Sequence, residues 1–174
     1  MTNEKLIPYF GYGTNVDPEM LGTITGRVPE SQPAILRGFE LCIQAWDQIP
    51  ERVKNILSQS WKDEENFRTY TIRKAPGKQV DGLLYFITPI EREMVAEWEI
   101  EPIWYEPAIV KVQAVDGKIV EAETQYIKEN NRNFTRATDV YKGQALPVYL
   151  NPKSRMRDVA NKVREAYLQG KRDV

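Results

Sequence analysis

Leu6-Ile7-Pro8-Tyr9-Phe10-Gly11-Tyr12-Gly13-Thr14-Asn15 is the stretch on which the reading of this chain turns. A short apolar strand runs into alternating glycines, then into a hydroxyl and an amide side chain. Glycines let the backbone turn tightly and approach a bound group, and they leave N–H donors free to face an anion or a polarised carbonyl. Asp17-Pro18 follows as a helix N-cap with proline at the first helical position, which puts the loop at a helix N-terminus. Alone, the stretch reads equally as a ligand loop or as a strand-to-helix turn without a ligand.

Outward from that loop, strand signals dominate the first two thirds. Residues 6–12 read as a strand and residues 18–25 as a short helix. Residues 34–45 form a second strand, interrupted at Gly38 where a bulge is expected. Residues 46–66 are polar and irregular apart from a helical period over 51–59; they read as an insertion or lid, or as a plain surface excursion. Residues 67–74 and 80–88 read as two strands split by Ala75-Pro76-Gly77, and Pro89 opens a helix that runs through Met94, Val95 and Trp98. Residues 108–115 and 118–127 flank Asp116-Gly117, which predicts a hairpin with a type I′ turn. Residues 130–139 read as loop. Residues 146–150 form a proline-marked strand ahead of an amphipathic C-terminal helix within 151–174, with Met156, Val159, Val163 and Tyr167 on one face. The expected fold is α+β, a mixed, curved, barrel-like sheet with a few flanking helices, in one domain over residues 1–174.

Composition narrows the chemistry. The chain has 174 residues, a formal net charge of −1, 41% hydrophobic and 28% charged residues, one cysteine and no histidine. A chain of this length can bury a core without disulfides or metals. There is no basic face for nucleic acid, no apolar run of membrane-spanning length and no signal-peptide core near Met1, so a cytoplasmic protein is expected. Cys42, in an apolar strand, reads as a buried small hydrophobe. Lack of histidine removes Ser-His-Asp and Cys-His catalysis and His-ligated zinc. Acid–base work then falls to Asp, Glu, Tyr or Lys.

A carboxylate in an apolar setting is the natural general base, because desolvation lifts its pKa towards neutrality. Val95-Ala96-Glu97-Trp98-Glu99-Ile100-Glu101-Pro102-Ile103-Trp104-Tyr105 is built that way. Glu99 follows an indole, a pairing that raises a carboxyl pKa. Glu97 and Glu101 are expected to face solvent. Tyr12, inside the glycine loop, and Tyr149, beside the last helix, are placed to reach a pocket.

Together these segments resemble the γ-glutamyl cyclotransferase-like superfamily, which includes γ-glutamylamine cyclotransferases and AIG2-like proteins. Tyr12-Gly13-Thr14-Asn15 is similar to its Tyr-Gly-Ser-Asn signature, followed by Met20-Leu21, Arg27 and Leu36-Arg37-Gly38-Phe39-Glu40-Leu41. Ala75-Pro76-Gly77 before Val80-x-Gly82-x-x-Tyr85 resembles its second anchor. Val95-Ala96-Glu97-Trp98-Glu99 with Tyr105 resembles its third. Thr14 stands for serine, Val16 for leucine, Ala96 for aspartate and Ile100 for glycine. The resemblance implies a cofactor-free, metal-free reaction in which a γ-glutamyl group cyclises to 5-oxoproline and releases an amine or amino acid. It implies Glu99 as base and acid, and Tyr12, Gly13, Thr14, Asn15, Val16 and Tyr149 as contacts to a small γ-glutamyl substrate. By position Glu101 competes with Glu99, although the spacing to Tyr105 favours Glu99. Two rival readings stay open: a non-catalytic protein binding a small carboxylate or amide in the same pocket, and an adaptor acting through residues 46–66. Neither leaving group nor oligomeric state follows from the sequence.

Overall fold

Five strands close on themselves because one long strand pairs on both sides. The computed structural model describes residues 5–61, 64–129 and 133–172. Ile7–Gly11 (β1) leads through a 3-10 turn, Gly13–Val16, into Pro18–Thr25 (α1). Then come Ser31–Ala45 (β2), Glu51–Leu57 (α2), Arg68–Ile87 (β3) and Pro89–Trp98 (α3). Tyr105–Ala114 (β4), Ile119–Ile127 (β5), Thr135–Arg136 (β6), Ala137–Tyr141 (α4) and Lys153–Arg172 (α5) complete the order. The ring runs β3-β1-β5-β4-β2 and shuts through β2–β3 pairing, with β6 beside β2. β1 is parallel to β5; the other pairings are antiparallel. The barrel has no exposed edge where it closes, and the mixed sheet expected from the sequence is present.

Close backbone approach explains two glycines. A Cβ on Gly82 would lie 2.4 Å from the Gly11 carbonyl oxygen and 2.6 Å from the Phe10 ring, and one on Gly11 would meet the Asn15 carbonyl at 2.8 Å. The glycines therefore bring β3 against the start of the loop. Adjacent residues of β1 serve opposite faces, as strand geometry requires. Phe10 packs with Leu36, Ile72 and Leu84, while Tyr9 joins Met20, Leu21, Val95 and Val159 between sheet and helices.

Several expectations change. Residues 67–74 and 80–88 are not two separate strands but parts of β3: Phe39 pairs with Lys74 and Arg37 with Gln79, so residues 75–78 bulge opposite Gly38. Gly38 and Gly77 both take positive φ there (81° and 82°), so the expected irregularity at Gly38 is real. The 116–117 turn is not type I′. Gly117 (φ 85°) is its positive-φ residue, and Asp116 is not one. The Gly117 N–H donates to the Ala114 carbonyl, and Ala114 and Lys118 close the ladder. That is a three-residue loop with glycine in the left-handed position. Residues 133–139 are not all loop, since they carry β6 and the start of α4; residues 130–132 lie outside the described residues. Residues 146–150 form no strand.

Residues 46–61 also differ from a surface excursion, and residues 62–63 of that segment lie outside the described residues. Ile49, Val53, Leu57 and Trp61 are buried in the main core. Their polar neighbours face outward, which is what made the segment read as solvated. An adaptor surface there would lack these apolar side chains. Cys42 is fully buried, and burial pushes its thiol up to about 11.

Candidate active site

The C-terminus of α3 presents Glu99 in a fixed pose. Thr88 and Glu91 cap the helix start reciprocally, each side chain bonded to the other's N–H, and Arg27 holds Glu91 at 2.7 Å. At the other end the Glu101 N–H donates to the Ala96 carbonyl (3.0 Å) and the Ile100 N–H to that of Glu97 (3.2 Å). This double closure is a Schellman motif with Glu99 as the cap residue. Ile100 takes the left-handed position (φ 55°), where glycine is usual and a β-branched side chain is strained by roughly 1–2 kcal/mol.

From that cap the Glu99 carboxylate meets the glycine loop. Its Oε1 accepts from Asn15 Nδ2 at 3.2 Å and from Gln125 Nε2 at 3.5 Å. Asn15 also donates to the Tyr9 hydroxyl (3.2 Å), which donates to Gln125 Oε1 (2.7 Å). The Tyr12 hydroxyl donates to the Gln125 carbonyl, and that of Tyr85 to the Asn15 carbonyl, both at 2.6 Å. These bonds fix the amides around one carboxylate. Burial, with the nearby negative Glu101 next in effect, pushes the Glu99 pKa up to about 8 against the opposing pull of Asn15 and Arg92. Burial, with Glu99 next in effect, also lifts Tyr9 well above the phenol range, so its proton stays in the network.

Glu101 does not face solvent. It is buried and held by Arg92 through two bonds of 3.0 and 3.1 Å, and Arg92 reaches Glu123 at 3.2 Å and lies over the Tyr9 ring. Glu101 thus does not line the cavity that Glu99 lines. Glu97 is exposed, as expected, yet lines the cavity.

The cavity over Glu99 has a volume of about 630 Å³, and Tyr12, Thr14, Asn15, Tyr105 and Gln125 surround the carboxylate end. Tyr105 is immobilised: it donates to the Tyr70 carbonyl (2.5 Å) and pairs with Thr69 (2.7 Å). Gly13 and Thr14 open the 3-10 turn, where the turn itself offers their N–H groups no acceptor. Gly13 needs to be glycine twice over: φ is 61°, and a Cβ would strike Tyr70 at 2.7 Å. The Thr14 hydroxyl donates to the Val148 carbonyl.

Three residues singled out in the sequence do not line this cavity. Gly13 and Val16 shape the turn from behind. Tyr149 gives its hydroxyl to Asp17 Oδ2 at 2.5 Å, and Lys153 approaches the same oxygen at 3.6 Å. Asp17 is partly buried, but bonds from Tyr149 and the Glu19 N–H, with the Lys153 charge, hold its carboxyl below the usual range. The α1 N-terminus is thus already occupied by Asp17. Tyr9, Gln125 and Arg92 are site residues that sequence reasoning missed. Gln125 carried only the alternation of a strand, which says which face it takes but not what it meets.

Residues 9–144 match the family described as Gamma-glutamyl cyclotransferase, AIG2-like. The chain belongs to that family. Members are recognisable in its fold as well. A solved gamma-glutamyl cyclotransferase superposes with a TM-score of 0.60 at 17% identity, over 90% of this chain and 99% of the other. The uncharacterized protein loc79017 from Homo sapiens gives 0.58 at 16% identity, over 90% and 87%. At5g39720.1 from Arabidopsis thaliana gives 0.54 at 20% identity, over 81% and 83%. At such identities the likeness establishes the cyclotransferase fold. Compared with curated protein sequences, this family member has no match. Among the described residues no helix is long and apolar enough to cross a membrane, and no cluster of three or more Cys, Asp or Glu could hold a metal.

Proposed function

We propose that the protein cyclises a γ-glutamyl amide to 5-oxoproline, with Glu99 as both general base and general acid. The observation that carries this reading is a single carboxylate, lifted to about 8, at the inner end of a cavity and flanked by the donors of the glycine loop. The substrate supplies its own nucleophile, so the chain needs no serine, cysteine or histidine.

The proton inventory closes on Glu99. The carboxylate takes a proton from the substrate's α-ammonium. The freed amine nitrogen attacks the γ-carbonyl carbon, and the carbonyl oxygen takes up negative charge. The N–H of Thr14, a residue that lines the cavity, is the donor suited to that oxygen. Glu99 returns its proton to the departing nitrogen as the C–N bond to the leaving group breaks; it then takes the second proton that the ring nitrogen still carries and passes it to the freed amine, which leaves as ammonium. An α-amino group titrates at about 8 or a little above. A carboxyl at its ordinary value would leave the amine protonated; one matched to the amine makes the first transfer nearly thermoneutral. Holding the five-carbon chain in its cyclising conformer supplies the proximity term.

The test is 5-oxoproline release from a panel of γ-glutamyl amides and γ-glutamyl amino acids, with wild type and Glu99→Gln side by side. Release by the wild type and a loss of at least about a thousandfold in the variant is expected. A panel with no release by either protein overturns the reading.

A further inference from the structure

The cavity is larger than the group the chemistry acts on. About 630 Å³ lies in the middle of the range of roughly 300–1,000 Å³ that accommodates drug-sized ligands. A five-carbon γ-glutamyl group fills only the inner end, beside Glu99. The remainder is a second chamber with a different lining. Protein interiors close-pack, so a chamber of this size between packed elements marks a place for a ligand.

Its walls come from three directions. Met156, Val159, Val163 and Ala166 stand three or four residues apart on α5 and present one apolar stripe. Opposite them, Ile56 and Leu57 end α2, followed by Ser60 and Trp61. The third wall is aromatic. Trp61 meets Phe67 edge-on at 4.9 Å, Phe67 lies 6.3 Å from Trp104, and Trp104 meets Tyr105 edge-on at 5.0 Å. This run of rings leads from the outer chamber down to the Tyr105 beside Glu99. Among the described residues, charge along the lining is confined to Glu97, Glu99 and Arg68. Residues 56–61 thus contribute a wall of the outer chamber, which gives that part of the segment a purpose in the site.

We propose that the leaving nitrogen of the natural substrate carries a bulky apolar body with an aromatic ring, seated in this outer chamber. The inference rests on the cyclotransferase reading above. Small polar leaving groups, and a lysine side chain with its charged backbone groups, would leave the apolar walls wet or face them with charge. Two sources share the required chemistry: an arylalkylamine, with no carboxylate, and an aromatic amino acid, whose carboxylate would be taken by Arg68.

Four substrates decide it: γ-glutamyl-phenethylamide, γ-glutamyl-phenylalanine, γ-glutamyl-methylamide and γ-glutamyl-ε-lysine. At least one aromatic substrate should exceed both others by about tenfold or more in kcat/KM, the discrimination an apolar pocket delivers. The better aromatic substrate names the source. Trp61→Ala, and separately Val163→Trp, which fills the chamber, should shrink the aromatic-to-methylamide ratio to about threefold or less. The ratio is read within one protein, so a variant with a smaller folded fraction loses both rates alike. Calorimetric binding of the same four compounds to Glu99→Gln separates the two claims. Tenfold tighter aromatic binding without turnover by the wild type keeps the chamber assignment and sinks the reaction. Turnover of all four at similar rates keeps the reaction and overturns the assignment. Neither turnover nor an aromatic preference in binding overturns both.

Discussion

Holding the Glu99 carboxylate partly buried among desolvating neighbours costs stability, and Glu99→Gln should return it in a pH-dependent way. In the folded chain the carboxyl moves from its ordinary 4.5 to about 8. Between those values the native state binds a proton that the unfolded chain has released. Stability therefore falls as pH rises through the window, and levels off above about 8. Each tenfold change in proton affinity is worth about 1.4 kcal/mol, so the full loss is at most roughly 5 kcal/mol, and relaxation of the site brings the expected value to about 3. Glutamine mimics the protonated acid and can still accept from Asn15 through its carbonyl. The variant should match the wild type near pH 4.5 and exceed it by about 3 kcal/mol at pH 9, or about 6–12 °C in Tm for a chain of this size. Urea unfolding of both proteins at intervals from pH 4.5 to 9 measures the difference. Parallel stability curves, or a glutamine variant that weakens as pH rises, would refute the reasoning, because Glu99 would then titrate alike in both states.

Other outcomes follow from single contacts. Asn15→Ala removes the donor at 3.2 Å that favours the ionised Glu99; the acidic limb of the kcat/KM profile should move to higher pH, with activity down by about 10–100-fold. Arg92→Met leaves Glu101 buried without its counter-ion, and chemical denaturation should show a loss of about 3–5 kcal/mol, largely restored by adding Glu101→Gln. Gly82→Ala forces a methyl against the Gly11 carbonyl at 2.4 Å; unfolding measurements should give a loss of about 3 kcal/mol or a chain that fails to fold. Tyr149→Phe should lower stability by about 1–2 kcal/mol through the lost bond to Asp17, while steady-state kinetics stay within about threefold, since the hydroxyl does not face the cavity.

Much of the barrel was legible because local rules and tertiary demands agree there. Pro18 behind Asp17 and Pro89 after Thr88 each mark a helix start that the structure keeps, and Gly38 marks the bulge expected within β2. The Glu99 helix end was legible for the same reason, since acidic and aromatic residues alternate where a periodic segment stops. Two kinds of feature were not. Residues 75–78 look like a chain break, yet the strand continues, because a bulge opposite Gly38 absorbs them. Gln125 meets Glu99 from 26 residues away, Arg92 meets Glu123 from 31 and Tyr9 meets Gln125 from 116. No local pattern encodes such a meeting. Tyr149 shows the converse: a position beside the site reads as a ligand, but its hydroxyl is turned to a helix cap.

Product analysis tests the central claim most directly. A γ-glutamyl substrate labelled with ¹⁵N at its α-amine is incubated with wild type and with Glu99→Gln, and 5-oxoproline, glutamate and freed amine are quantified by mass spectrometry. The account predicts ring-labelled 5-oxoproline in one-to-one ratio with freed amine from the wild type, no glutamate above background, and neither product from the variant. Glutamate as the main product, or equal 5-oxoproline from both proteins, would contradict it.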